Sequence, residues 1–342
     1  MRVILTLGSG AAEAAGVHHV NSLVLRGLQA HGDTVSVQVF RGSMPTVIAS
    51  LCQSAGRCWK LGRRGLKAGK WYSPWLQFRI RRSLRRWVGQ WQPDAVLVDG
   101  LGVLFLWLPL IRTMRSCRFL CILHNTVSLS RHRRGMEAAL QFANVEFVAV
   151  SQSTAASFIV QGMPPERIHA IPNGFDFDSM RGRLLGREAA RAALGVLDLA
   201  GPVFGVVGRL AAVKQPQLVL AAFRSYVEQG GCGNLVFVGD GELADGVAAQ
   251  AAAWGLSGRV HLTGWVKDAA DHLRAFDIYV AAALKEGLSI ALFEAIAAGL
   301  PIICSDIPSF REVLPARAIT FDPGEPEGLV AAMLAWSGEP GG

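Results

Sequence analysis

The sequence predicts two α/β domains in tandem, each a Rossmann-like parallel sheet covered by helices. Three observations predict this. At 342 residues the chain is longer than one hydrophobic core usually serves. Short β-branched runs alternate with segments of helical period along its whole length. The composition, 51% hydrophobic and 18% charged with 38 glycines, is that of a folded globular chain and excludes disordered, fibrous and disulfide-knotted classes.

The elements follow in order. In the first half, strands are expected at 2–7, 34–40, 95–98, 118–123, 146–150 and 167–171. In the second half they are expected at 203–207, 234–238, 259–262, 277–281, 301–304 and 318–321. Helices are expected between them, among others at 216–229, 242–254 and 289–298. The greasiest run, 101–111, falls well short of the roughly 20 apolar residues a membrane span needs. It also holds Gly102 and Pro109, so it reads as a buried helix of a globular domain. The turn-rich Pro172-Asn173-Gly174-Phe175-Asp176 and a polar helix near 187–194 supply the connection. Domains are therefore expected at 1–175 and 176–342.

The chain opens directly on a strand, without the charged and apolar regions of a signal peptide. Its cysteines, Cys52, Cys58, Cys117, Cys121, Cys232 and Cys304, form no CxxC pair and no zinc-like spacing. Both features predict a cytoplasmic protein with reduced thiols.

Charge is concentrated rather than spread. Residues 34–93 hold twelve Lys or Arg and no Asp or Glu, whereas the whole chain carries only +8. Such a block expects an anionic partner: nucleic acid, a lipid surface or a phosphorylated substrate. Within it, Leu76, Ile80, Leu84, Trp87 and Trp91 recur at helical spacing, surrounded by Arg79, Arg81, Arg82, Arg85 and Arg86. A basic amphipathic helix with tryptophans fits an anionic membrane surface. The same stripe also fits packing on its own domain with the arginines left in water, and the two readings are compatible. No helix-turn-helix, RNA-binding or zinc pattern supports nucleic acid.

Two segments carry chemistry. Lys285-Glu286-Gly287-Leu288-Ser289-Ile290-Ala291-Leu292-Phe293-Glu294 sets two carboxylates eight apart across the start of a helix. Gly287 allows close backbone approach, and free N–H groups at a helix start bind phosphate. If all eight residues were helical, the carboxylates would stand about 12 Å apart and address opposite ends of an elongated ligand. Upstream, Gly208 with Arg209 and Lys214 follows a strand, where ligands of open α/β sheets bind. Arginine forks onto phosphate oxygens and lysine supplies a mobile point charge.

Taken with Ile171-Pro172-Asn173-Gly174-Phe175-Asp176, Val238-Gly239-Asp240-Gly241-Glu242 and Gly299-Leu300-Pro301, these segments resemble the retaining glycosyltransferases of family 4, of GT-B fold. The resemblance implies two Rossmann-like domains facing across a cleft. It implies that Arg209 and Lys214 neutralise a donor diphosphate without a metal or other cofactor. It further implies that Glu294 holds the ribose, that Glu286 holds a hydroxyl of the transferred sugar, and that amides around Gly287, Leu288 and Ser289 contact the phosphates or sugar. Val266, within Thr263-Gly264-Trp265-Val266, falls where the family places a nucleobase contact. Gly16 belongs to a loop, Gly8 to His18, resembling the one that approaches the donor from the first domain. His124, in Leu123-His124-Asn125-Thr126, either lies near the reacting sugar or caps a strand-end loop.

The chain departs from the family pattern in three places. Ala15-Gly16 replaces a double glycine, with His18 where an acidic residue is common. Ser289 stands where a second glycine is frequent, its hydroxyl a candidate helix cap. The sequence given ends before a crossover helix. Asp176-Phe177-Asp178 mimics a DxD metal site, but its place after an Asn-Gly turn makes it a turn-capping pair.

The expected protein is a metal-independent hexosyl- or N-acetylhexosaminyl-transferase, peripheral on the inner face of the cytoplasmic membrane. Its partners would be a nucleotide-sugar, UDP-sugar first and GDP-mannose second, and a glycan or lipid-linked acceptor. The contrasting reading is a basic membrane- or nucleic-acid-binding module without catalysis.

Overall fold

The computed structural model describes residues 1–8, 15–41, 44–51, 57–61, 74–125 and 133–337. The chain divides into two compact units, Met1–Gly174 and Phe175–Gly342. Phe175 goes with the second unit because its ring meets Phe177 and Phe293, at 4.9 and 5.6 Å between centroids.

The first unit is a seven-stranded sheet in the order β3-β2-β1-β4-β5-β6-β7. Its strands are β1 (Arg2–Leu7), β2 (Thr34–Arg41), β3 (Arg57–Leu61), β4 (Ala95–Asp99), β5 (Arg118–Leu123), β6 (Val145–Ala149) and β7 (Ile168–Ala170). The second is a six-stranded sheet, β10-β9-β8-β11-β12-β13. It comprises β8 (Val203–Val207), β9 (Asn234–Val238), β10 (Val260–Leu262), β11 (Ile278–Ala281), β12 (Ile302–Ser305) and β13 (Ile319–Phe321). Every pairing in both sheets is parallel.

Parallel strands buried on both faces read as continuous apolar runs, and these sheets show why. Along β1, Ile4 enters one core layer while Val3 and Leu5 enter the opposite one. Along β9, Leu235 and Phe237 face one layer and Val236 and Val238 the other. All twelve expected strands form within a residue or two of their expected ends. The thirteenth, β3, lies inside the basic block, where lysine and arginine conceal the apolar alternation that marks an edge strand.

Helix Leu101–Ile111 is a core helix, with seven of its residues buried, Trp107 among them. No described helix is long and apolar enough to cross a membrane. Cys117, Cys121 and Cys304 are free and buried, and desolvation pushes each thiol up, those of Cys117 and Cys304 to about 12.

The arginine-rich segment is helix Pro74–Trp91. Its apolar stripe docks on the first unit: Leu84 is fully buried, Trp87 is 6% exposed, and Trp91 stacks on Trp87 at 5.8 Å. These tryptophans are therefore committed to the core and are not free to enter a lipid interface. Arg82, Arg85 and Arg86 remain exposed on the outer flank, and Arg81 is half-buried. The side chains of Arg79, Leu76, Ile80 and Trp59 lie outside what the structure describes, as do the residues Trp71, Tyr72 and Thr126.

The two flanks of this helix should answer differently to substitution. Leu84→Ala should cost about 2–5 kcal/mol by opening a core cavity. Arg85→Gln should shift stability by less than about 0.5 kcal/mol. Urea denaturation of both variants checks this, and equal effects would mean that the stripe is not docked.

Candidate functional site

In the second sheet, β8 and β11 are neighbours, but the chain leaves them in opposite directions, toward β9 and toward β12. That reversal opens a crevice beyond the strand ends, where open α/β sheets take ligands. A cleft open to solvent lies there, lined by Val207, Gly208, Arg209, Lys214, Tyr279 and Ser289, among others.

The loops around this cleft are bound to one another through their backbones. Gly208 N–H donates to the Val238 carbonyl, Leu210 N–H to that of Asp240 and Gly239 N–H to that of Gly264, all at 2.9 Å. The sequence blocks at 208–214, 238–242 and 263–266 thus form a single layer. Glycine is required where they touch. Gly239 has φ +142°, and a Cβ there would collide with the Gly208 carbonyl, while one on Gly241 would meet that of Leu210.

Lys214 closes a 3₁₀ turn, Ala212–Lys214, and its ammonium contacts the Glu286 carboxylate directly. The fold therefore brings together two site residues separated by 72 positions. Glu286 is 13% exposed and Lys214 32%. Arg209 is exposed and makes no ion pair among the described residues.

Helix Ile290–Ala297 begins at this cleft. Ser289 occupies its N-cap position and is buried, but its side chain makes no capping hydrogen bond. The cap expected from sequence is not made, so the first-turn N–H groups are left without the hydroxyl as partner. Gly287 and Leu288 lead into this start, Leu288 buried. Only residues 290–297 are helical, so the two carboxylates are not separated by eight residues of helical rise as the sequence suggested.

Glu294 stands in the second turn, and desolvation pushes its carboxyl up to about 7, with Arg183 pulling down and Asp271 pushing up. Tyr279, a cleft residue the sequence reading missed, is buried, and its hydroxyl is held protonated first by burial, then by Glu294 and Glu286. Ser305 was missed as well: its buried hydroxyl accepts from Ala283 N–H at 2.9 Å and supports the loop leading to Glu286. Both lie inside apolar strands, where nothing in the local pattern distinguishes them. Val266 is half-buried beside Trp265, which is 74% exposed.

In the first unit, the corresponding reversal falls between β1 and β4. His124, just past β5, places Nε2 2.7 Å from Oδ1 of Asp99, the last residue of β4. The approach is close but not aligned as a hydrogen bond. Asp99 was not expected at the site. Gly16 lies in the first turn of helix Ala15–Ala30, and most of the loop before it, 9–14, is outside the described residues. His18 is buried, and neither ring nitrogen has a hydrogen-bond partner among the described residues.

Asp176 accepts from Ser179 N–H at 3.0 Å and caps the helix it precedes, while Asp178 pairs with Arg181 at 3.3 Å. No cluster of three His, Cys, Asp or Glu able to hold a metal exists among the described residues.

Comparison with known proteins agrees with this architecture. Residues 14–179 match the family described as Glycosyltransferase Family 4, and residues 201–337 match Glycosyl transferases group 1. Between them they span nearly the whole chain, which belongs to the family 4-type glycosyltransferases of GT-B fold. A putative glycosyltransferase, EpsF, of Bacillus subtilis is 31% identical over 49% of this chain and 44% of its own length. The Escherichia coli UDP-Gal:alpha-D-GlcNAc-diphosphoundecaprenol alpha-1,3-galactosyltransferase is 34% identical over 42% of this chain and 38% of its own. A phosphatidyl-myo-inositol mannosyltransferase of Mycobacterium tuberculosis is 33% identical over 48% and 42%. The chain thus matches less than half the length of each of these relatives. The structure of Anabaena HepE in complex with UDP and glucose superposes with a TM-score of 0.77 at 18% identity, over 99% of this chain and 90% of that one. At that identity the likeness is one of fold.

The desolvated Glu294 predicts a pH-dependent stability. With a folded-state pKa near 7 against an ordinary 4.5, the folded protein keeps a proton that the unfolded chain gives up between those values. Stability contributed by this group therefore falls as pH rises from 4.5 to 7, by at most about 3 kcal/mol. Glu294→Gln should raise Tm at pH 8 relative to the parent, with the gain fading toward pH 4.5. A Tm difference independent of pH would contradict this.

Proposed function

We propose that this protein is a retaining glycosyltransferase that moves a sugar from a nucleotide-sugar to a membrane-associated, lipid-linked or polysaccharide acceptor. The observation that carries this reading is the convergence of Arg209, Lys214, Glu286 and an uncapped helix start on one strand-end cleft. Each of these groups suits one part of a nucleoside diphosphate-sugar.

When the bond between the sugar and the diphosphate breaks, negative charge develops on the departing phosphate. Arg209 and Lys214 meet that charge as fixed cations, and the N–H groups at the start of helix Ile290–Ala297 add a positive dipole end. These groups suffice without a divalent ion. Glu286 orients the sugar through a hydroxyl, and Glu294 takes the ribose. Because the ribose contact favours the carboxylate, donor binding draws a proton from Glu294 near neutral pH. His124, beside Asp99, is the first unit's candidate for contacting a sugar or acceptor.

UDP-sugar is the preferred donor, supported by the UDP-Gal-dependent Escherichia coli relative. The second reading is a mannosyl donor such as GDP-mannose, favoured by the mycobacterial mannosyltransferase. Both relatives are named for lipid-linked acceptors, which suits a cytoplasmic enzyme working at the inner face of the membrane. With Trp87 and Trp91 docked, the described side chains of helix Pro74–Trp91 that remain for such a surface are its basic flank, Arg82, Arg85 and Arg86, together with Phe78, which is 60% exposed.

Two measurements test this function. Thermal shift against UDP-, GDP- and ADP-sugars should show saturable stabilisation by one of them, lost in Arg209→Met. Turnover should persist in excess EDTA with the donor's anomeric configuration retained. A metal requirement or an inverted product would refute the mechanism.

The membrane role has its own test. Replacing Arg82, Arg85 and Arg86 with Gln should remove at most about 3 kcal/mol of attraction to anionic vesicles, at roughly 1 per charge. Co-sedimentation should fall while donor binding stays intact, and unchanged sedimentation would return these arginines to a solvated face.

A further inference from the structure

The contact between Lys214 and Glu286 has a consequence for how the cleft releases its product, and it rests on the nucleotide-sugar reading above. We propose that Glu286 is a product-release residue: it competes with the nucleoside diphosphate for Lys214 whenever no sugar hydroxyl occupies its carboxylate.

The surroundings of the pair support an exchange of partners rather than a fixed structural bridge. The backbone on both sides is anchored. Leu284 N–H donates to the Val213 carbonyl at 3.0 Å, joining the Glu286 loop to the Lys214 turn. Gln215 sits in the left-handed region at φ 47°, and its Nε2 donates to the Pro323 carbonyl at 2.9 Å. Within that frame the lysine stem is the mobile part, a point charge on four rotatable carbons. Arg209, the second cation of the cleft, is left out of the pair. Among the described residues, Arg209 has no carboxylate partner and Lys214 has Glu286.

With intact donor bound, both members of the pair have new partners, Lys214 a phosphate oxygen and Glu286 a sugar hydroxyl. After transfer the hydroxyl leaves with the sugar. Glu286 then faces an ammonium shared with the remaining diphosphate, and re-forming the pair weakens the hold on that product. The cleft thereby distinguishes donor from spent donor by more than the sugar's own contacts.

The test is calorimetric titration of the full chain with UDP, GDP and ADP, using whichever the parent binds most tightly. Glu286→Gln should bind that nucleoside diphosphate about threefold to fivefold more tightly than the parent, the scale of an ion pair at the edge of solvent. In a Lys214→Met background the same substitution should give no tightening, because the partner competed for is gone. Weaker or unchanged product binding in Glu286→Gln overturns the proposal. Tightening that persists in Lys214→Met also overturns it, since it would then reflect only the loss of a nearby negative charge. Circular dichroism of each variant confirms the fold, and Glu286→Asp, which keeps the carboxylate, should return affinity toward that of the parent. If the parent binds none of the three, or Arg209→Met leaves affinity unchanged, the nucleotide-sugar reading itself fails and takes this proposal with it.

Discussion

The close approach of two backbone turns, one after β8 and one after β9, is the constraint on which the site depends. A Cβ on Gly239 would collide with the Gly208 carbonyl, and one on Gly241 with the Leu210 carbonyl. The hydrogen bonds from Gly208 to Val238 and from Leu210 to Asp240 hold the turns there. This contact aims Arg209 out of the sheet and starts the chain toward Lys214. It also explains Gly239 and Gly241, which backbone crowding fixes before any ligand is considered.

Around that frame the electrostatics are arranged at some cost to stability. Glu294 keeps a partly desolvated carboxyl, and its proton affinity rises accordingly. Ser289 occupies a cap position without capping, leaving helix N–H groups without the partner a cap supplies. Lys214 and Glu286 neutralise each other, while Arg209 makes no ion pair among the described residues. Each is a poor choice for a protein that only has to fold. Together they suit one that must receive an anion and a polyhydroxylated ligand, since binding sites are where proteins give up stability for function.

The basic block shows where composition misleads. Its arginines and tryptophans look like one membrane-facing feature, yet the helix divides them. Leu84 and Trp87 are spent on the core, and among the described side chains Arg82, Arg85, Arg86 and Phe78 are left for a partner. Strand β3 was overlooked in the same block, because its basic residues obscure the alternation by which a strand is recognised.

Both sheets were legible in the sequence because a parallel strand buried on two faces must be apolar throughout, and that signal is local. The four motif blocks and the residues Arg209, Lys214, Glu286 and Glu294 were legible for a similar reason: each combines a strand or helix end with a charge or glycine that a core would reject. The sequence could not show that Lys214 meets Glu286, that Asp99 meets His124, or that Tyr279 and Ser305 support the cleft. Those facts depend on which strands become neighbours. Strand order is decided by packing across the whole sheet, so only the tertiary structure sets β8 beside β11 and β4 beside β5.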